Sequence, residues 1–399
     1  MRHAASQTVK RTAPKSVRSA IRRKLLHWFD HHQRDLPWRR RAEDPYAQWV
    51  AEVMLQQTRV ETVIRYYEPF LRRFPSIRRL ADADHEEVLK HWEGLGYYRR
   101  ILHLHRAARM VCDNGCVIPD HADALRALPG VGEYTASAIA SIAFHRPEAA
   151  VDGNVARVLS RLFKVSEDVR SPVGKSRIRE LARWLLPARR PGDFNQAWMD
   201  LGSMVCTSKA PRCDACPLVA HCLAADSGEA ASYPVRESAR SRKPKAVSFV
   251  VAVFAHKEKL LVRRRPRGGL WSGLWEFPAL ELPAVAWSAC GAQSRERKRA
   301  DRSASSKIER RYVQRLAAQM GVKISEQPRL VAEVRHQLTH RSLRFHVYGC
   351  VVQAVNGKAT AATRWVSERA FQKLPVSTGH RRVFAAAVGD LSRERQRAD

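Results

Sequence analysis

Four cysteines, Cys206, Cys213, Cys216 and Cys222, stand at the spacing C-x6-C-x2-C-x5-C. Four thiolates in so short a segment can surround one metal centre, and both a zinc ion and an iron–sulfur cluster accept four Cys ligands. The long first gap and tight second pair are unusual for a zinc finger, which pairs two close couples. Upstream, Leu128-Pro129-Gly130-Val131-Gly132 reads as a tight turn between two helices. Glycines permit the turn, and the helix that follows offers free N–H groups and its positive dipole end to a phosphate. Further on, Val151-Asp152-Gly153-Asn154-Val155 places an aspartate where a helix N-cap would sit. Glu52 shares one expected helical face with Gln56 and Arg59, in an otherwise apolar stretch.

The chain that must position these groups has 399 residues, enough for two or three domains and a large core. Lys and Arg number 71 against 39 Asp and Glu, a formal net charge of +32. That excess exceeds what solubility needs and suits a partner with a polyanionic backbone. A basic protein of membrane surfaces is the competing class, but no stretch is long and apolar enough to span a bilayer and no secretory apolar region opens the chain. No acid precedes Asp30, a bias that also suits an organellar transit peptide, although the tail is short. Cys112, Cys116, Cys290 and Cys350 show no disulfide framework, so with a metal centre in mid-chain a reducing intracellular compartment fits.

Residues 1–17 read as a basic tail, with a helix starting around Ser19. From 18 to 225 the pattern is mostly helical: Tyr46, Trp49, Val50, Val53, Met54, Val60, Val63, Ile64 and Tyr67 recur at three- and four-residue spacing. Phe74-Pro75-Ser76, Gly94-Leu95-Gly96, Pro129-Gly130 and Pro191-Gly192-Asp193 divide the helices. Residues 226–245 are polar and basic and read as a linker. Ala246 to Phe254 and Phe345 to Val352 are strand candidates within a second, α+β domain spanning 246–385. Ser294 to Lys307 reads as a charged insertion or the start of a helix reaching Met320, and 386–399 as a charged tail. No internal repeat is visible.

The order Glu52-Val53-Met54-Leu55-Gln56-Gln57-Thr58, Trp92-Glu93-Gly94-Leu95-Gly96-Tyr97-Tyr98, the hairpin turn, Val151 to Val155 and the cysteine loop closely resembles the MutY family of adenine DNA glycosylases, in the helix-hairpin-helix and endonuclease III superfamily. The resemblance covers about 19–225 with specific motifs and 246–385 more loosely. It implies a mainly α helix-hairpin-helix glycosylase domain with a [4Fe-4S] cluster on Cys206, Cys213, Cys216 and Cys222, followed by an α+β Nudix-like domain. The implied partner is double-stranded DNA carrying adenine opposite 8-oxoguanine or guanine, bound by a monomer; a bacterial cytoplasm or nucleoid is the expected place, which the compact length suits without settling the source, with an organelle or a nucleus as the alternatives.

Cleaving an N-glycosidic bond requires an acid for the departing base and an anion beside the sugar, which gains oxocarbenium character. Two carboxylates in different environments can divide those roles. The resemblance makes Glu52 the acid at adenine N7 and Asp152 the anion, with Asn154 and Tyr134 also catalytic. Tyr134 stands where endonuclease III has an imine-forming lysine, and a phenol cannot form that imine; the expected enzyme is monofunctional. A base must leave the duplex before it is cut, and the resemblance gives Gln57 and Tyr97 to the opposite strand, with Trp92 and Tyr98 as core. It gives Trp38, Arg39, Leu55 and Gln196 to the adenine pocket, and Leu128, Gly130, Val131, Gly132, Lys209 and Arg212 to DNA contacts.

In the second domain, Trp275-Glu276-Phe277-Pro278 resembles the family's lesion-checking Nudix-like domain, without the acidic box of pyrophosphate hydrolysis. Leu338-Thr339-His340 stands where the family often has F-S-H. The threonine keeps the hydroxyl that can bond a modified guanine's Hoogsteen edge, and the leucine loses the ring. The alternatives are a pyrimidine-lesion glycosylase and lyase of the endonuclease III kind, and a non-catalytic iron–sulfur DNA-binding protein.

Overall fold

The computed structural model describes residues 15–236, 244–266, 268–283, 295–355 and 362–398, with side chains except those of 295–306 and 389–398. Cys290 and most of the expected basic tail lie outside this set. The chain divides into two compact units, Met1–Ala83 with Arg100–Arg240, and Asp84–Arg99 with Ser241–Asp399. No described helix is long and apolar enough to cross a membrane.

The first unit is helical. Its helices are α1 (Lys15–His32), α2 (Pro45–Leu55), α3 (Val60–Arg73) and α4 (Ile77–Ala81), then, after α5 (His85–His91) of the other unit, α6 (Arg99–Asp113), α7 (Ala122–Arg126), α8 (Glu133–Ala143), α9 (Gly153–Leu162), α10 (Pro172–Leu185), α11 (Pro191–Met204) and α12 (Leu223–Asp226). Local chemistry sets the starts. Asp44 accepts from the N–H groups of Tyr46 and Ala47 at the head of α2, with Pro45 in the first turn. Ser171 and Pro172 do the same for α10. One core joins α1, α9, α10 and α11 through Leu25, Phe29, Leu159, Ile178, Leu185 and Trp198. In α8 the run Thr135 to Ala143 is buried on every side. Its small side chains let α2 and α11 lie close against it.

Helix α2 ends one turn sooner than its apolar pattern suggests. The Arg100 guanidinium donates to the carbonyls of Val53 (2.9 Å), Met54 (2.8 Å) and Gln56, taking the orphan acceptors of a helix end. Gln56 leaves the helix at φ −57°, ψ 110°, and Arg59 stands extended at the N-cap position of α3 without a side-chain capping bond. Glu52, Gln56 and Arg59 therefore do not share a helical face. Cys112 and Cys116 also differ from expectation: they are disulfide-bonded, with Cα atoms 3.7 Å apart. Positive φ at Gly115 (92°) and Cys116 (60°) turns the chain back on the end of α6. The first part of the expected linker packs on this unit, since Arg161 donates to Tyr233 O (2.9 Å) and Lys164 pairs with Glu229.

The second unit holds β1 (Lys245–His256), β2 (Lys259–Arg264), β3 (Trp275–Glu276), β4 (Ala279–Glu281), α13 (Arg295–Met320), β5 (Val322–Ile324), β6 (Arg329–Gln337), β7 (Arg341–Val355), β8 (Thr363–Ser367), α14 (Glu368–Lys373) and α15 (Thr378–Ala398). The described strands form one mixed sheet with the central order β3-β2-β1-β7-β5; β4 joins β1, β6 joins β7 and β8 joins β2. β1 and β7 run parallel in unbroken register from Lys245↔Arg341 to Ala255↔Val351. A parallel pair needs a long crossover, and α13 lies within it, packed on β1 through Val313 and Leu316. The charged stretch is thus the start of a helix. α15 packs on β6 and β7, and its backbone runs through the expected tail to Ala398.

Segment Asp84–Arg99 is bound into this second unit. Arg381 of α15 clasps Glu93 (2.6 and 3.1 Å), Lys90 donates to Gln372 O (2.8 Å), and Arg364 grips Glu86 (3.0 and 3.1 Å).

Candidate active site

Glu52 sits in the third turn of α2, between the apolar side chains of Ala51 and Val53, and is 3% exposed. Gln48, one turn earlier on α2, donates to its Oε1 (2.9 Å). Its other oxygen, Oε2, is buried without a hydrogen-bond partner. Among the described residues no cation pairs with it. Burial pushes its pKa up to about 7, against the lowering effect of the facing Tyr134 hydroxyl and of Gln48, and the Asp152 charge adds to the rise. The Tyr134 hydroxyl is itself directed to Met199 Sδ (3.7 Å). Burial, then the charges of Glu52 and Asp152, holds that phenol well above its usual range, so it stays neutral.

Asp152 caps α9. Its Oδ1 accepts from Val155 N (2.7 Å) and its Oδ2 from Asn154 Nδ2 (2.8 Å). Burial raises its pKa, while those donors and Arg157 favour the charged form. Asp152 is therefore the N-cap that its place in the sequence suggests. Asn154 Oδ1 accepts in turn from Arg157 Nη2 (2.9 Å), which also donates to Gly202 O (2.7 Å), and Arg157 Nε donates to Cys206 O (2.9 Å). A Cβ on Gly202 would lie 2.6 Å from Asn154 Cβ, so only glycine lets α11 approach α9 here. A cavity of about 370 Å³ opens beside these groups, lined by Tyr134, Val151, Asp152, Arg157, Lys175 and Arg179 among others; Glu52 is not among its walls.

Two of the expected pocket residues, Arg39 and Gln196, form one polar cluster with Asp200. Arg39 Nε donates to Gln196 Oε1 (3.0 Å), and Arg39 Nη1 to Asp200 Oδ2 (3.1 Å). Trp38 is buried, its ring edge-on to Tyr67. Leu55 is half-buried at the end of α2. Sequence reasoning missed Gln48, Asp200 and Arg157. Gln48 had a signal, one helical turn before Glu52; Asp200 is fully buried and paired with Arg34 and Arg39 across more than 160 residues, which no local pattern shows.

The hairpin turn is as expected. Gly130 has φ 78°, and a Cβ there would meet His103 Cβ at 2.6 Å. Leu128 is half-buried, Val131 buried, and Gly130 and Gly132 are exposed, with Gly132 heading α8. Gln57 is exposed at φ 58°, and Tyr97, 43% exposed, at φ 47°. Such left-handed conformations cost non-glycine residues energy and gather at functional positions. Trp92 and Tyr98 are core. Lys209 is exposed, while Arg212 is engaged with Met204 O (2.6 Å). Leu338, Thr339 and His340 form the turn between β6 and β7, closed by Leu338 N donating to Arg341 O (2.8 Å).

All four clustered cysteines line one small cavity, with Arg161, Val205 and Val219. Among the described residues, no three His, Cys, Asp or Glu side chains are drawn together tightly enough to hold an ion. The donor set nevertheless fits an anionic metal–thiolate group. Arg161 is 1% exposed and has no described carboxylate partner. It donates to Cys206 Sγ (3.2 Å) and to the carbonyls of Thr207 (2.6 Å), Ser208 (3.2 Å) and Tyr233. A buried guanidinium demands compensating negative charge, and four thiolates around a metal would supply it.

Residues 50–187 match the HhH-GPD superfamily of base excision DNA repair proteins, and 249–386 match a NUDIX domain. The chain is 36% identical to adenine DNA glycosylase of Homo sapiens over 93% of this chain and 74% of that one. It is 32% identical to adenine DNA glycosylase of Buchnera aphidicola subsp. Baizongia pistaciae, over 64% and 72%. Among solved structures it is similar to a thermostable thymine-DNA glycosylase, with TM-score 0.50 and 29% identity over 53% of this chain and 98% of that one.

Proposed function

The chain belongs to the adenine DNA glycosylase family, and we propose that the adenine it removes in base excision repair is one mispaired with 8-oxoguanine or guanine. One observation carries the chemistry: a buried carboxyl, Glu52, pushed up to about 7, with Oε2 free of partners. Such a group holds its proton well above the ordinary carboxyl range and is matched to general-acid work. Glu52 gives its proton to adenine N7 as the bond between N9 and C1′ breaks, and the base leaves neutral. Asp152, accepting from Val155 N–H and the Asn154 amide, stays anionic beside the positive sugar. Water adds its hydroxide to C1′ and releases a proton. Tyr134 offers a neutral phenol and no amine, so no imine forms and the enzyme is monofunctional. The adenine lies against Trp38, Leu55 and the Arg39–Gln196 pair.

Gln57 and Tyr97 fill the space opened in the duplex, and the exposed turn Leu338-Thr339-His340 reads the opposite base. Cys206, Cys213, Cys216 and Cys222 hold a [4Fe-4S] cluster, which folds the loop carrying Lys209 and Arg212 onto the DNA backbone; Arg161 lies against it. The test is a duplex panel with adenine opposite 8-oxoguanine, guanine or thymine, and thymine glycol opposite adenine, assayed with and without alkali. The reading expects adenine release from the first two and strand breaks only after alkali. Thymine glycol release, or breaks without alkali, would refute it.

A further inference from the structure

The cavity of about 370 Å³ beside Asp152 is lined by five cations, Arg157, Arg170, Lys175, Arg179 and Arg236, against two carboxylates, Glu133 and Asp152. Three of the cations are engaged within the unit. Arg157 donates to Asn154 Oδ1, Gly202 O and Cys206 O, Arg170 pairs with Asp168 (2.7 Å), and Arg179 pairs with Glu133. Lys175 and Arg236 are exposed on the cavity wall and have no carboxylate partner among the described residues. We propose that this cavity is a phosphate subsite for the adenine-bearing strand, in which Lys175 and Arg236 hold one of the two phosphates that flank the flipped nucleotide. The proposal rests on Asp152 facing the sugar, as read above.

Two separate segments bring this pair to one cavity. Lys175 and Arg179 lie one turn apart on α10 and so share a helical face. The head of that helix is fixed: Ser171 Oγ accepts from Gly174 N (3.0 Å), and a Cβ on Gly174 would lie 2.1 Å from Asp168 O, so the helix start is seated on the loop before it. Arg236 stands three residues past Tyr233, whose carbonyl accepts from Arg161 Nε (2.9 Å). Lys164 holds Glu229 a little earlier, and Pro234 is itself part of the wall. A nucleotide turned out of the duplex brings its phosphates with its sugar, and their charge opposes the carboxylate that faces the sugar. Cations in the same cavity offset that repulsion, and a cleft rich in one sign of charge draws in the opposite ion. The charge of Arg236 also presses the Arg157 pKa down, behind the larger effects of burial and of Arg161. Like charges so placed gain when an anion sits among them.

The test measures equilibrium binding of the full-length protein to a duplex bearing a non-cleavable adenine analogue opposite guanine, for wild type, Lys175→Gln and Arg236→Gln. Each titration is repeated with a neutral methylphosphonate in place of the phosphate on the 5′ side, and then on the 3′ side, of the analogue. Each variant should weaken binding to the ordinary duplex about 2- to 5-fold, the worth of an exposed ion pair. Each should also flatten the salt dependence, because fewer counterions are released. On one of the two methylphosphonate duplexes these losses should vanish, since the partner charge is already gone. Full losses on both methylphosphonate duplexes would overturn the inference and leave Lys175 and Arg236 as parts of a general basic surface. Wild-type binding by both variants would overturn it as well. The reading of Asp152 is tested apart: adenine release at the wild-type rate by Asp152→Asn would take the sugar away from this cavity, and the inference with it.

Discussion

Glu52 in the first unit and Glu276 in the second are both buried glutamates, 3% and 1% exposed, yet their proton affinities lie far apart. Burial lifts Glu52 to about 7, with only the neutral groups Gln48 and Tyr134 to oppose it. Burial acts on Glu276 too, but His380, Arg265 and Arg263 outweigh it and hold the carboxyl down at about 2. Arg263 Nε donates to Oε1 (3.0 Å) and Arg265 Nη1 to Oε2 (2.5 Å). His380 Nδ1 accepts from Phe277 N (3.3 Å), which leaves Nε2–H facing Glu276 Oε2 at 3.4 Å. Burial alone therefore does not say what a carboxyl does. Glu276 is a permanent anion that ties strand to helix; Glu52 is a carboxyl left without a cation so that it can carry a proton.

Removing each carboxyl should separate the two roles. Glu52→Gln keeps the size and the Gln48 contact but has no proton to give. Adenine release should fall about 10²–10⁴-fold, the usual worth of a general acid, with mispair binding retained in a gel-shift titration. A fall of less than tenfold would place the acid elsewhere. Glu276→Gln leaves two guanidiniums partly buried and unpaired, and should cost about 3–5 kcal/mol in the denaturant unfolding of the second unit. A loss below about 1 kcal/mol would mean that solvent already screens the cluster.

The pH dependence of stability should have opposite signs at the two sites. Glu52 has a folded pKa raised from 4.5 to about 7. Its stabilising contribution is fully present below 4.5 and is lost as pH rises through 7, a change of about 3 kcal/mol at roughly 1.4 kcal/mol per unit. Wild type should show that loss relative to Glu52→Gln when the pH dependence of denaturant midpoints is compared. Glu276, depressed to about 2, contributes above 4.5 and loses its contribution as pH falls through 2. Parallel pH curves for wild type and Glu52→Gln would contradict the assignment. The smallest effect is expected from Tyr134→Phe. The hydroxyl lowers the Glu52 pKa, so its loss should move the alkaline limb of the rate profile upward, and a downward move would contradict the geometry.

Much of this was legible in the sequence because it is local. The cysteine spacing, the hairpin turn with its required Gly130, the capping Asp152 and the strands β1 and β7 all follow from residues near one another in the chain. The misses have distant causes. Helix α2 stops at Leu55 because Arg100 takes its last carbonyls. Segment Asp84–Arg99 joins the second unit because Glu93 meets Arg381 and Glu86 meets Arg364, both across more than 270 residues. Glu52 looked like one member of a polar face, and only the burial around it reveals the raised pKa. Glu276 was read as part of a motif, and its two arginines and histidine could not be assigned to it from order alone.

The most direct test of the central claim is the pH profile of single-turnover adenine release from a duplex with adenine opposite 8-oxoguanine. If Glu52 delivers its proton to the base, the rate should be level on the acid side and fall about tenfold per pH unit above about 7. A rate that stays level from pH 6 to about 9 would contradict a proton-donating Glu52 and the account built on it.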